Sequence, residues 1–344
     1  MADTLIAAPP STEPLAPRSA ESSRARGAGG AIRFARARAI DIVLVMLAAA
    51  TLSFVTLQLM PGNPVDTLLR GTFEITPEMR ADVASAYGLD EPVWLQYIHY
   101  IGGLLTGDLG SSYQQRKPVT EIIAAALPPT AALAAFAMAL AIVFALVGAL
   151  VSAGRGRVAR FVAQGLELVA IAVPSFWIGL ILLSAFAFAI PLFPSTGADG
   201  FASLVLPALT LSLPLAGVLG QILRERLDET LEQPHTLTAR TRGAGTARIR
   251  VRHGLRHSVI PALTVSGAIV GSLLVGTTVI ETLFSRPGVG RVLLNAVMSK
   301  DAPVIMGVVI FSAIVFLLVN TVVDLLSLIV DPRTRAQSGV VGSW

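Results

Sequence analysis

The sequence predicts an all-α integral membrane protein with six transmembrane helices. Of its 344 residues, 53% are hydrophobic and only 14% are charged, and the mean hydropathy is +0.71. A soluble chain would carry about 25% charged residues. A helix that satisfies its own backbone hydrogen bonds in lipid needs about 20 apolar residues. The windows that qualify are residues 40–60, 131–151, 161–190, 204–223, 258–280 and 304–330.

Two of these windows need individual treatment. The first is too long for a signal peptide and has no small-residue cleavage site before Pro61, so we expect it to remain as an anchor. The third is overlong, and Pro174 is expected to kink it. Glu167 lies near its cytoplasmic boundary, where we expect a structural role in contact with water or with an arginine of the loop at 155–160.

The distribution of basic residues predicts sidedness. With six spans both termini share a side, and the segments on that side hold 19 of the 26 Lys and Arg residues, against seven on the other. Because basic residues are retained in the cytoplasm, both termini are predicted to be cytoplasmic and the 61–126 connection external. The basic residues are nearly all Arg beside apolar runs, so the net charge of +4 gives no reason to expect nucleic acid as a partner.

Residues outside the transmembrane domain, 40–335, form two predicted cytoplasmic tails. Residues 1–38 are rich in Ala, Pro, Ser, Gly and Arg, a composition that predicts disorder, and residues 336–344 close the chain. The external connection is predicted to contain two helices. One is capped by Thr76 and runs to Tyr87, and the other places Trp94, Tyr97, Ile98 and Ile101 at helical spacing.

The composition also excludes several chemistries. There is no cysteine, and the four histidines are scattered, so no metal site is expected. The only lysines, Lys117 and Lys300, are followed by Pro and Asp, so the chain has no phosphate-binding Gly-x-x-x-x-Gly-Lys-Ser/Thr loop. We predict no catalytic residue and no bound cofactor, and we do not expect the chain to be an enzyme.

The connection between the fourth and fifth windows is the most informative segment. Residues 224–257 contain eight arginines, and Gly243 and Gly245 favour a turn. Residues 228–257 are therefore predicted to form two short helices around a glycine corner, exposed on the cytoplasmic face and able to enter a groove on a soluble partner. The alternative is that the arginines only enforce topology.

Several strings resemble the permeases of binding-protein-dependent ABC importers. Thr238-Ala-Arg-Thr-Arg-Gly243, then His253-Gly-Leu-Arg256 and Pro261, is similar to the EAA motif of those permeases. Met60-Pro-Gly-Asn-Pro64 and Thr106-Gly-Asp-Leu-Gly-Ser111 are similar to segments of the first permease of the dipeptide, oligopeptide and nickel group. The likeness covers about residues 40–335.

The resemblance implies a type I ABC importer transmembrane domain in a bacterial inner membrane. A second permease would complete the pathway, two ATPase subunits would use ATP and bind the cytoplasmic loops, and an extracytoplasmic protein would deliver substrate. Peptide is the expected substrate class. The residues that the resemblance places in the coupling loop are Ala239, Arg240, Arg242, Gly243, His253, Leu255 and Arg256.

Three further residues are candidates for the substrate pathway or its gate. Asp324 is an ionisable group within the last span, where burial is costly, although Asn320 one turn earlier also allows a structural hydrogen-bonding pair. Glu281 flanks the external end of the fifth span with Arg286, where a plain surface turn is the alternative. The alternative function is an ion-coupled secondary transporter, which would need internal repeats that the sequence does not display.

Overall fold

The computed structural model of the chain describes residues 21–59, 62–69, 75–234, 236, 241–243, 245, 249–251, 269, 273 and 276–330. Within these residues the chain is helical, with no strand and one isolated bridge between Ser111 and Pro118. The predicted all-α class is therefore confirmed. The helices are α1 (Glu21–Gln58), α2 (Pro64–Leu68), α3 (Pro77–Ala86), α4 (Val93–Thr106), α5 (Val119–Ser152), α6 (Arg157–Ala172), α7 (Ser175–Leu183), α8 (Ala202–Leu231), α9 (Val289–Ser299) and α10 (Ala302–Val330).

Four described helices are long and apolar enough to cross a membrane, and a bent pair makes a possible fifth span. The four are α5, α8, the part of α1 over Arg38–Gln58 and the part of α10 over Ala302–Val323. Many apolar side chains on their outer faces are exposed, as lipid-facing residues are. The predicted span at 258–280 lies largely outside the described residues, so the structure accounts for four or five of the six predicted spans.

The first helix is longer than its apolar window. It begins at Glu21, within the predicted tail of residues 1–38. The sequence before the span is rich in Ala and Arg, which both have high helix propensity. Extending a helix that is already formed costs far less than nucleating one, so the span can propagate toward the N-terminus.

The third predicted span is broken at Pro174. Helix α6 and the combined helix Ser175–Ala189, whose last six residues form a π-helix, meet at 96°. Val173, which precedes the proline, is extended, as the steric demand of a proline ring favours. Helix α7 restarts with the backbone N–H of Trp177 donating to the Pro174 carbonyl at 3.0 Å. The predicted kink is confirmed and is sharp enough to turn the chain through a right angle.

The centre of the bundle is the contact between α5 and α8. Every fourth residue of α5 and of the turn after it faces α8 and is almost completely buried: Leu133, Ala137, Ala141, Ala145, Ala149 and Ala153. We call this row the alanine seam. Its small side chains let the two helix backbones approach closely, so that a Cβ added to Gly220 of α8 would lie 3.7 Å from the Cα of Ala145.

The predicted external helices are present. The hydroxyl of Thr76 accepts a hydrogen bond from the backbone N–H of Met79 at 3.2 Å and caps α3. Helix α4 packs on α1 through Tyr97, whose hydroxyl lies 2.7 Å from that of Thr51 and whose ring meets Phe54 edge-on. The second predicted helix therefore covers part of the first span.

The two ends of the bundle can be told apart by contacts between distant segments. At one end, the start of α10 lies beside the start of α5, where Gly307 leaves no room for a Cβ against Val119. Near the other end, the guanidinium of Arg38 donates to the hydroxyl of Thr321 at 3.1 Å. Helices α1 and α10 therefore run antiparallel, as an even number of spans requires.

Candidate functional site

In the segment of 228–257 that the structure describes, Ile249 and Arg250 lie at the end of the bundle where α5 and α8 finish. Ile249 is completely buried against Ala153, Leu227 and Leu231. The guanidinium of Arg250 donates to the carbonyl of Leu150 at 3.3 Å. These two residues therefore pack this segment against the ends of α5 and α8.

The glycine corner is described at Gly243. Its φ is +80°, a left-handed conformation that residues with a Cβ rarely adopt, and among the described residues no atom lies within 4 Å of an added Cβ. The backbone conformation therefore favours glycine at this position. Arg242 beside it is exposed. The other predicted coupling residues, Ala239, Arg240, His253, Leu255 and Arg256, lie outside the described residues.

Charged side chains tie together the helices that carry this loop. The carboxylate of Asp228 accepts a hydrogen bond from the backbone N–H of Gly154 at 2.7 Å and pairs with Arg160 at 3.3 Å. The carboxylate of Glu167 accepts two hydrogen bonds from the guanidinium of Arg224, at 3.0 and 2.7 Å. The prediction that Glu167 would reach an arginine of the 155–160 loop is wrong, because α6 crosses α8 and brings it to Arg224.

At the opposite end of the bundle, Glu281 organises the turn into α9. Its side chain is completely buried. One carboxylate oxygen accepts from the hydroxyl of Thr130 at 2.6 Å, and the other accepts from the backbone N–H groups of Gly290 and Arg291 at 2.9 and 3.2 Å. The Thr130 hydroxyl in turn accepts from the backbone N–H of Val289 at 2.9 Å. The carboxylate thus neutralises the positive N-terminus of α9 and links that helix to α5.

The neighbouring turn is equally constrained. A Cβ on Gly288 would overlap the Glu281 carboxylate. Arg286 is buried, and its guanidinium donates to the carbonyls of Gly197 and Ser203 at 3.2 and 3.0 Å. The turn that was expected either to gate the pathway or to form a plain surface therefore lies in a buried polar network, and the gate remains a prediction.

Asp301 provides a second clamp at this end. Its buried carboxylate accepts from the Ser112 hydroxyl at 2.5 Å and from the backbone N–H groups of Tyr113 and Gln114 at 3.0 and 3.2 Å. Burial, and then the negative charges of Asp301 and Tyr87, raise the pKa of Tyr113 to about 12. The 61–126 connection is thereby fixed to the start of α10.

The remaining pathway candidates lie on α10. The amide of Asn320 donates to the carbonyl of Phe316 at 2.9 Å, four residues back in the same helix, and the residue is half-buried. The backbone of Asp324 is helical, but its side chain lies outside the described residues. Their assignment to the pathway stays a prediction.

Sequence reasoning did not identify Thr130 or Arg224 as partners of buried carboxylates, nor Asp301 as a buried carboxylate itself. Each pairs with a residue more than 50 positions away, so no local spacing marks the interaction. The only available signal was the presence of isolated polar residues at the ends of apolar runs.

Comparison with known proteins assigns the family. Residues 145–336 match the family described as binding-protein-dependent transport system inner membrane component, and residues 31–134 match the N-terminal region of such membrane components. Together the two matches cover most of the chain. The class of protein that the helical bundle and its anchored loop define is therefore a membrane-embedded transport subunit, and the chain belongs to the family of binding-protein-dependent transport system inner membrane components.

Individual relatives are similar along most of their length. The chain is 34% identical over 327 residues to the dipeptide transport system permease protein DppB of Escherichia coli strain K12, a match that covers 86% of this chain and 96% of the relative. It is 34% identical over 299 residues to the glutathione transport system permease protein GsiC of Salmonella typhimurium, covering 87% and 97%. The DppB protein of Lactococcus lactis subsp. cremoris is also 34% identical over 299 residues, covering 86% and 96%. The chain is thus a DppB-like permease subunit of an ABC importer, and the ion-coupled alternative has no support.

Proposed function

We propose that this chain forms half of the pathway of an ATP-driven importer for peptides. The observation that carries the proposal is the match of nearly the whole chain to permeases whose names specify dipeptide or glutathione transport. Glutathione is itself a small peptide, so the two names agree on substrate class. A second permease would line the other half of the pathway, and an extracytoplasmic binding protein would deliver the peptide.

The orientation that we propose places both termini and the 228–257 loop in the cytoplasm. The excess of arginine in the segments on that side supports it. The opposite end of the bundle, where Glu281 and Asp301 are buried, then faces outward. Helix α5 has 34 residues and is about 50 Å long, so it connects the two ends.

The loop is proposed to act as a lever between the ATPases and the membrane helices. Two cytoplasmic ATPase subunits would bind it in their grooves, with Arg240 and Arg242 pairing with acidic residues of the ATPase and Ala239 against the docking face. Closure of the ATPases on ATP would pull the loop. Ile249 and Arg250 would pass that movement to both helices. Ile249 packs against Leu227 and Leu231 of α8 and against Ala153, just after α5. Arg250 donates to the Leu150 carbonyl of α5. Such a switch depends on ATP only if the loop and the membrane helices make different contacts in the ATP-bound and ATP-free states.

The assembly is tested by purification through a tag on the C-terminus, with the copurifying proteins identified and ATP hydrolysis measured. We expect a second permease, ATPase subunits and hydrolysis that the binding protein stimulates. Recovery of a homo-oligomer without ATPase activity would overturn the proposal.

The lever is tested by replacing Gly243 with valine. A β-branched residue at positive φ costs about 1–3 kcal/mol. If this cost falls on the coupling step, it lowers peptide uptake by about fivefold to 150-fold, while the ATPase subunits remain bound and hydrolyse ATP. Gly245→Val is the matched control, because Gly245 has an open environment and no positive φ. Wild-type uptake by Gly243→Val, or equal losses in both variants, would refute the lever.

A further inference from the structure

An open cleft of about 510 Å³ lies between α5 and α9 at the end of the bundle opposite the loop. Glu121 and Ile122 in the first turn of α5 form one wall, and Arg291 and Asn295 on one face of α9 form the other. Lys117, just before α5, lies at the rim. The volume falls in the range of about 300–1,000 Å³ that is typical of small-molecule sites.

Charges of both signs line this cleft. Lys117 and Glu121 are exposed and Arg291 is partly exposed. In the part of the chain that the structure describes, none of the three takes part in an ion pair, whereas Arg80, Arg160 and other external or internal arginines do. Two cationic side chains and one carboxylate therefore face the same open space with their charges available to a ligand.

The walls of the cleft are held in place by the buried networks described above. The backbone N–H of Arg291 donates to the Glu281 carboxylate, which fixes the start of α9. On the other side, Asp301 fixes the backbone from Ser112 to Gln114, just before Gln115 and Lys117 at the rim. A ligand entering the cleft would not have to organise either wall, and preorganisation of this kind favours binding.

We propose that this cleft binds a short peptide through its two charged termini as the peptide enters the pathway. Lys117 and Arg291 would bind the carboxylate, and Glu121 would bind the ammonium group. A ligand with only an anionic group would leave Glu121 without a partner, and one with only a cationic group would leave the two basic side chains without one. The side-chain amides of Gln115 and Asn295 offer donors and acceptors that suit a peptide bond. This inference rests on the proposed function as a peptide importer and names residues of this chain that contact the substrate.

The test measures ligand binding directly, without the binding protein. The complete complex of both permeases and the ATPases is placed in lipid nanodiscs, and the affinities of dialanine, dialanine amide and N-acetyl-dialanine are measured by calorimetry or saturation-transfer NMR. Wild type should bind dialanine more tightly than either derivative. Lys117→Gln and Arg291→Gln should each lower the affinity for dialanine about tenfold, because one charge-assisted hydrogen bond is lost. Each should lower the affinity for dialanine amide by less than about twofold, because that ligand has no carboxylate.

Glu121→Gln should give the complementary pattern. It should lower the affinity for dialanine about tenfold and the affinity for N-acetyl-dialanine, which has no ammonium group, by less than about twofold. Arg80→Gln is the control, because Arg80 pairs with Asp66 in the same connection and does not line the cleft. It should leave all three affinities unchanged. The proposal is overturned if wild type does not bind dialanine saturably, or if the cleft variants weaken all three ligands equally.

Uptake of dialanine into proteoliposomes that contain the complete importer separates this site from the proposed function. Normal uptake without measurable dialanine binding would refute the cleft and leave the importer standing. Selective binding in the cleft without ATP-driven uptake would refute the importer and leave the site standing.

Discussion

The ion pair between Glu167 and Arg224 allows a quantitative prediction about how α6 is held on α8. The side chains of Arg224 and Glu167 are only 6% and 13% exposed, and two hydrogen bonds of 3.0 and 2.7 Å join them. Glu167→Gln keeps the shape of the side chain but removes its charge. The guanidinium of Arg224 is then left buried without its hydrogen-bonded counter-charge and keeps only the longer-range attraction of Asp228 and Glu225.

The expected cost follows from the burial and the geometry. Opposite charges about 4 Å apart attract by about 4 kcal/mol at an effective dielectric constant of 20. Removing one partner of a buried pair typically costs about 3–5 kcal/mol. Because glutamine still offers one acceptor oxygen, we expect Glu167→Gln to lower the free energy of unfolding by about 3 kcal/mol, at the low end of that range.

The assay is reversible unfolding of the purified protein in mixed micelles of mild detergent and sodium dodecyl sulfate. Glu229→Gln is the matched control, since Glu229 pairs with Arg226 on the same helix at 2.9 Å with both side chains more than half exposed. Glu229→Gln should lower the free energy of unfolding by less than about 1 kcal/mol. The double variant Glu167→Gln/Arg224→Met should recover most of the lost stability, because it also removes the stranded charge. Equal losses in Glu167→Gln and Glu229→Gln would refute this account of the pair.

Two more predictions follow from close contacts and from ionisation. Gly217→Ala should destabilise the fold by about 1–3 kcal/mol in the same unfolding assay, because its Cβ would lie 2.9 Å from the Glu167 carbonyl oxygen. Gly220→Ala should be neutral or stabilising, because the nearest atom to its Cβ would be 3.7 Å away. Burial and Asp301 raise the pKa of Tyr113 from 10.0 to about 12, so its contribution to stability should be fully present below pH 10 and disappear as the pH rises toward 12. Asp301→Asn should lower that pKa, measured as phenolate absorbance against a Tyr113→Phe reference; an unchanged titration would contradict the assigned contact.

The sequence predicted what depends on local pattern. Hydrophobic length identified the described spans, and Thr76 with Pro77 marked the start of α3. Pro174 marked the break in the third span. These features follow from the residue itself or from its near neighbours, so they can be recognised without knowing which helices touch.

What the sequence did not predict depends on how distant segments meet. Glu281 and Arg286 look like an exposed charged pair at the end of a span, yet the turn after residue 284 folds α9 back over the carboxylate and buries both side chains. The partner of Glu167 was also unpredictable, because it is set by where α6 crosses α8. That crossing depends on Gly217, whose missing side chain leaves space for the α6 backbone. The burial and the partners of these charged residues are therefore set by how distant helices pack, and the residue type alone does not predict them.

The alanine seam also has a thermodynamic consequence. Alanine has no rotamers to lose on packing, so the alanines of α5 lose almost no side-chain entropy on joining α8, and that cost falls on Leu133 and the buried leucines of α8. Within lipid the contact is stabilised by dispersion rather than by release of water. The hydrophobic effect weakens on cooling, but an interface of this kind does not depend on it, and the two helices should stay together as one stiff unit over a wide range of temperature.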